Sequence, residues 1–92
     1  MEKVLSLRRK IDEIDEQILR FLKERVEVCK IIGKTKRNHR IPMRDHGRED
    51  EKYRYVMTRA SELGLNPREV KALFQEVIAM CIHAQESDAT ES

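Results

Sequence analysis

The sequence predicts an all-α fold: three helices, one long and two shorter, in a chain that pairs with a copy of itself. Three observations carry this. Apolar residues recur at spacings of three and four from Leu7 to Ile32, broken only at Arg25, as one face of a helix requires. Only three Gly and two Pro punctuate 92 residues, too few for a many-turned β fold. Hydrophobic residues make up 39% of the chain, too many for a disordered one, and charged residues another 39%, against roughly 25% in an average domain.

The first helix is predicted over about residues 2–37. Its stripe is Leu7, Ile11, Ile14, Ile18, Leu22, Cys29 and Ile32; no Pro interrupts it, and Gly33 is its one weak point. Residues 38–42 read as a turn, where Pro42 stops any helical continuation. The second helix is predicted over about residues 47–63, with Tyr53, Val56, Ala60 and Leu63 on its apolar face. Asp45 is placed to cap it, Glu49 sits in the first turn where the helix dipole favours an acid, and Gly64 follows as the C′ residue. The third helix has the clearest start: Asn66 as N-cap, Pro67 at the first helical position and Glu69 three residues after the cap. Val70, Leu73, Phe74, Val77, Ile78 and Cys81 form its apolar face, and the polar tail at 86–92 is expected to fray.

The length of the first helix has a consequence. About 35 residues at 1.5 Å each make a rod of roughly 50 Å. A compact domain of this size has a radius of gyration near 12 Å and is about 30 Å across. Two shorter helices cannot sheathe such a rod, so a second copy is expected to, giving a homodimer with paired long helices. Each copy is sized for one domain over residues 1–92. The longest unbroken apolar run, 77–82, is far too short for a membrane span. The N-terminus is charged and lacks an apolar core, so no signal peptide is expected. Cys29 and Cys81, far apart and in apolar surroundings, read as small core residues and not as a disulfide framework, which points to the cytoplasm.

Several polar residues fall where apolar ones belong. Continuing the alternation from Ile18 gives Leu22, Arg25, Cys29, Ile32 and Lys36, so Arg25 and Lys36 share the buried line, about three turns apart. Extending the second stripe back from Tyr53 reaches Glu49, and extending the third forward from Cys81 reaches Gln85. Singly, each has an ordinary explanation. Long basic side chains snorkel from the edge of a stripe, Glu49 serves as a first-turn acid, and Gln85 marks a fraying end. Together, two cations, one anion and one amide on core-facing lines need a shared partner. That set suits a small anionic ligand bearing a hydroxyl. It holds no nucleophile beside a base and no cluster of metal ligands, and His39, His46 and His83 lack metal-ligand spacing, so neither metal nor cofactor is expected.

Nineteen basic side chains against seventeen acidic ones leave a net charge of +2, which does not fit a dedicated nucleic-acid module. Residues 30–48 hold seven basic side chains against Asp45 alone, a net of 7 − 1 = +6, so the remainder carries 2 − 6 = −4. Such a local field draws in anions. A solvated charge run or a nucleic-acid patch is the other reading of that segment, although Phe21, Tyr53, Tyr55 and Phe74 are few for stacking bases.

Taken in order, Leu-Arg-Arg-Lys-Ile-Asp-Glu-Ile-Asp at 7–15, Glu-Arg at 24–25, Gly-Lys-Thr-Lys at 33–36, Pro-Met-Arg-Asp at 42–45, Arg-Glu at 48–49, Phe-Gln at 74–75 and Gln85 form a recognisable series. It resembles the all-helical (AroQ-type) chorismate mutases, isomerases that convert chorismate to prephenate on the way to phenylalanine and tyrosine. The likeness covers about residues 5–85. It implies an intertwined homodimer with two shared active sites and a dicarboxylate substrate, chorismate. It also implies that Arg8 from the partner and Arg25 each grip one carboxylate. Lys36 would bind the ether oxygen and a carboxylate, and Gln85 the same ether oxygen. Glu49 would accept the ring hydroxyl, supported by Asp45 and Arg48. Cys81 stands where relatives can carry a hydroxyl facing the substrate, and a thiol is only a weak donor there. Helix geometry is consistent with the role of Arg8, which lies about 25 Å along the axis from Arg25 and about 100° around it, too far to share a small pocket within one chain. The implied reaction is a pericyclic (Claisen) rearrangement without proton transfer, covalent intermediate or cofactor, and without nucleic-acid or membrane partners. Three other functions fit the same residues: an isochorismate-pyruvate lyase on the same fold, a helical nucleic-acid-binding dimer using residues 30–48, and a purely structural helical dimer.

Overall fold

A computed structural model describes residues 1–90, with side chains to Glu86. Helix α1, Glu2–Asn38, is a single rod of 37 residues. Its length of about 55 Å at 1.5 Å per residue sets the long dimension of the chain, whose extents are 56 × 29 × 14 Å. The rod stops in a Schellman closure. The Ile41 N–H donates to the Lys36 carbonyl at 2.8 Å and the Arg40 N–H to the Arg37 carbonyl at 3.2 Å. Arg40 adopts the left-handed backbone, φ 56°, that this motif usually gives to Gly.

Helix α2, His46–Glu62, starts on Asp45, whose side chain accepts from the Arg48 N–H at 3.0 Å. It ends in the same kind of closure, here with Gly64 at φ 77° and the Leu65 N–H on the Ala60 carbonyl at 2.8 Å. Helix α3, Pro67–Thr90, starts on Asn66, whose Oδ1 accepts from the N–H groups of Arg68 and Glu69 at 2.9 and 3.2 Å. The three caps predicted from local chemistry are therefore in place. The last two positions of the tail expected at 86–92 lie outside the described residues.

Three helices and no strand make up the described residues, so the chain is all-α. Helix α3 packs against both α1 and α2, while α1 and α2 do not pack on each other. The radius of gyration is 16.6 Å, against about 12 Å for a compact chain of this length. The core is correspondingly small: Cys29, Val56, Ala60, Ile78 and Ala84, with Gln85 among them. Leu7, Ile11, Ile14 and Ile18, the first part of the α1 stripe, are exposed. Leu63 and Leu73, which spacing assigned to buried faces, are exposed as well. Periodicity identifies an apolar face, and in these places no element among the described residues lies over it.

The cysteines depart most from the sequence expectation. Cys29 of α1 and Cys81 of α3 form a disulfide, with Cα atoms 5.3 Å apart. Cys29 is a core residue, as expected. The pairing was not readable, because it depends on the rotation of α3 against α1. It also removes unpaired cysteines as grounds for a reducing compartment. Among the described residues no helix is long and apolar enough to cross a membrane. One turn beyond the disulfide, α1 and α3 approach closely at Gly33. A Cβ there would stand 2.7 Å from Gln85 Cα and 3.0 Å from its carbonyl oxygen. The residue that looked like a weakness in the helix is what lets α3 come in.

Candidate active site

Because α1 and α2 both lean on α3 without meeting, a cavity of about 420 Å³ opens between them. Seven of the eight site residues predicted from sequence line it: Arg25, Lys36, Asp45, Arg48, Glu49, Cys81 and Gln85. Arg8 does not. It is exposed on the first part of α1, about five turns before Arg25.

The centre of the site is an interlocked set of hydrogen bonds. The Lys36 ammonium donates to the Met43 carbonyl at 2.7 Å and to Gln85 Oε1 at 3.1 Å. An ammonium has three N–H groups, so one is left for a guest. Gln85, only 5% exposed, turns its Nε2 to Cys81 Sγ at 3.3 Å. Its backbone carbonyl accepts from Arg37 Nη1 at 2.8 Å. Arg25 is half-buried, with Nη1 3.8 Å from Cys29 Sγ. No buried side-chain nitrogen or oxygen among the described residues lacks a partner.

The opposite wall carries the carboxylates. Arg44 holds Glu49 in a two-pronged ion pair, through Nε at 3.1 Å and Nη2 at 2.6 Å. The hydrogen bond from Arg44 keeps the Glu49 carboxyl below the usual carboxylate range, against the opposing pull of burial. Glu49 is therefore ionised at neutral pH and can only accept. The Asp45 carboxylate is occupied in part by the α2 cap, and Arg48 pairs with Glu51 at 3.2 Å. Four cations (Arg25, Lys36, Arg48, Lys52) face two carboxylates (Asp45, Glu49), so the lining carries 4 − 2 = +2, the complement of a dianion. No group of three or more His, Cys, Asp or Glu among the described residues is placed to hold a metal.

Sequence reasoning missed five contributors. Lys52 is recoverable, since it lies one turn after Glu49 on the same helix. Gly33 is visible as the weak point of α1 and in the 33–36 fragment, but its close approach to α3 is not. Arg37 acts through a contact with α3, and Arg44 and the Met43 carbonyl through the shape of the connection between α1 and α2, none of which helical spacing announces. One expectation is overturned: Cys81 has no S–H to offer a substrate, because its sulfur is bonded to Cys29.

The family described as chorismate mutase type II matches residues 7–86. The chain belongs to that family. It is 35% identical over 85 residues to the bifunctional chorismate mutase/prephenate dehydratase of Aquifex aeolicus, covering 89% of this chain and 24% of that protein. It is 42% identical over 55 residues to the chorismate mutase of Methanocaldococcus jannaschii, covering 60% of this chain and 54% of that one. The chain thus spans about a quarter of the first relative and about half of the second. Among solved structures, a conserved hypothetical protein from Pyrococcus furiosus shares the arrangement, with a TM-score of 0.73 and 32% identity over 92% of this chain and 97% of that one.

Proposed function

We propose that the protein is a chorismate mutase, catalysing the rearrangement of chorismate to prephenate for phenylalanine and tyrosine synthesis. The observation that supports it best is the Lys36–Gln85 pair, bonded to each other at the wall of a cavity whose lining carries two net positive charges. In this reading Arg25 takes one carboxylate of the substrate. The other goes to Arg8 of a second copy, since Arg8 of the same chain stands about 25 Å away along α1. The uncovered first part of α1 supports such a pairing, with each of two sites built from both chains.

Gripping both carboxylates folds the enolpyruvyl arm over the ring and brings the two reacting carbons together. As the ether C–O bond breaks and the C–C bond forms, negative charge grows on the ether oxygen. The third N–H of Lys36 and the second amide N–H of Gln85 donate to it. Their bonds strengthen towards the transition state, which is what lowers the barrier. Glu49 accepts the ring hydroxyl, with Asp45 and Arg48 at the same end. Every bond change occurs within one molecule, so the site needs no nucleophile and no base.

The test is the loss of chorismate absorbance on adding purified protein. Replacing Lys36 by Ala is expected to slow turnover about a hundred- to a thousandfold, or about 3–4 kcal/mol, with helix content unchanged by circular dichroism. Near-normal turnover in that variant would remove Lys36 from the reaction. Isochorismate assayed in parallel, with pyruvate as the readout, separates the lyase alternative.

A further inference from the structure

We infer that the Cys29–Cys81 disulfide is a positioning element for the reaction. It holds Arg25 and Gln85 in their working orientations, so that turnover depends on its oxidation state. This rests on the reading of the cavity as a chorismate mutase site.

Both cysteines line the cavity. Arg25 precedes Cys29 by four residues and Gln85 follows Cys81 by four, so each cysteine shares a helix face with one site residue. Each sulfur accepts from that neighbour, Cys29 Sγ from Arg25 Nη1 at 3.8 Å and Cys81 Sγ from Gln85 Nε2 at 3.3 Å. The pattern matters because a disulfide sulfur can only accept, whereas a thiol can also donate. With the bond intact, one amide N–H of Gln85 rests on sulfur and Oε1 rests on Lys36, which leaves the second N–H for the ether oxygen. Without the bond, each sulfur belongs to a side chain that turns independently, so neither Arg25 nor Gln85 keeps a fixed acceptor, and the second N–H of Gln85 is no longer aimed at the ether oxygen. The same bond sets the spacing of α1 and α3 at the level of Arg25, as Gly33 does further along.

Reduction by a dithiol is balanced as two electrons and two protons. The S–S bond breaks, each cysteine sulfur gains one hydrogen, and the reductant closes into its own cyclic disulfide.

The experiment assays the full chain oxidised, after anaerobic treatment with dithiothreitol, and after reoxidation, with thiols counted each time. Helix content is followed at the assay temperature. Reduction is expected to lower kcat about tenfold, a fraction of the hundredfold that a 1 Å misplacement can cost. KM should change less than kcat, and reoxidation should restore the rate. The double variant Cys29→Ala/Cys81→Ala should turn over slowly with or without the dithiol; if it fails to fold, the reduction and reoxidation cycle on the parent decides alone. If the disulfide only staples the fold, its reduction lowers the melting temperature and leaves kcat unchanged in the folded protein, which would overturn the inference. So would two free thiols in the oxidised preparation. Equal turnover in both forms sinks this inference alone, whereas no turnover of chorismate by the oxidised protein sinks the functional reading and this inference together.

Discussion

The two parts of α1 carry one continuous apolar stripe in different surroundings. Through Phe21 every residue is exposed, whereas from Leu22 onward Cys29 and Gly33 are buried and Arg25, Lys36 and Arg37 are half-buried. The backbone is the same hydrogen-bonded rod throughout. The difference lies in what sits alongside: α3 covers the second part and nothing among the described residues covers the first. An apolar period therefore marks a face and is silent on what, if anything, covers it. In the covered part, α3 brings Gln85 and Cys81 to the polar side chains on the stripe, which turns a packing seam into a site. In the bare part, the apolar line is intact and Arg8 stands off to one side of it.

The largest expected effect comes from a charge on the bare part. With the first part of α1 seating a second copy, as proposed, Ile14→Glu should reduce the mass seen by light scattering from two chains to one. Turnover should fall about a hundredfold or more, the scale of losing a preorganised donor, since Arg8 would no longer reach a neighbouring site. An unchanged mass would show that this face does not join two copies. In the covered part, Gly33→Ala tests the close approach. On an exposed helix that change gains about 1 kcal/mol. Against the Gln85 backbone, overpacking should cost about 1–3 kcal/mol and leave the variant less stable in urea. A stabilised variant would mean that α1 and α3 stand further apart than described. The smallest effect belongs to the end of the rod, where Arg40 holds a left-handed backbone. Arg40→Gly should raise stability by about 0.5–1 kcal/mol, the left-handed penalty less the extra freedom of the unfolded chain. A lowered melting temperature would show that this turn does not require that geometry.

What the sequence disclosed was local chemistry. Asp45, Asn66 with Pro67, and Gly64 act within a few residues of themselves, so their roles as caps and closures are legible without a fold. Arg25, Lys36, Glu49 and Gln85 were legible for a related reason: a helix carries its angular phase faithfully over many turns, so an intruding charge can be placed on the inner line by counting. The disulfide and the Arg37 tether depend on how separate helices are rotated against each other, and the Arg44 clamp on Glu49 and the Lys36 bond to the Met43 carbonyl depend on the path of the connection between α1 and α2; counting along one helix contains neither. Leu63 and Leu73 show the converse, correct phase with no neighbour to meet.

The cavity is the space left when two helices share a third, and Arg25, Lys36, Glu49 and Gln85 all project from helical backbone. Side chains mounted this way lose most of their freedom when the chain folds, not when a guest arrives. A ligand entering such a hollow orders little that was mobile beforehand, and more of its contact energy is left to act on the guest itself.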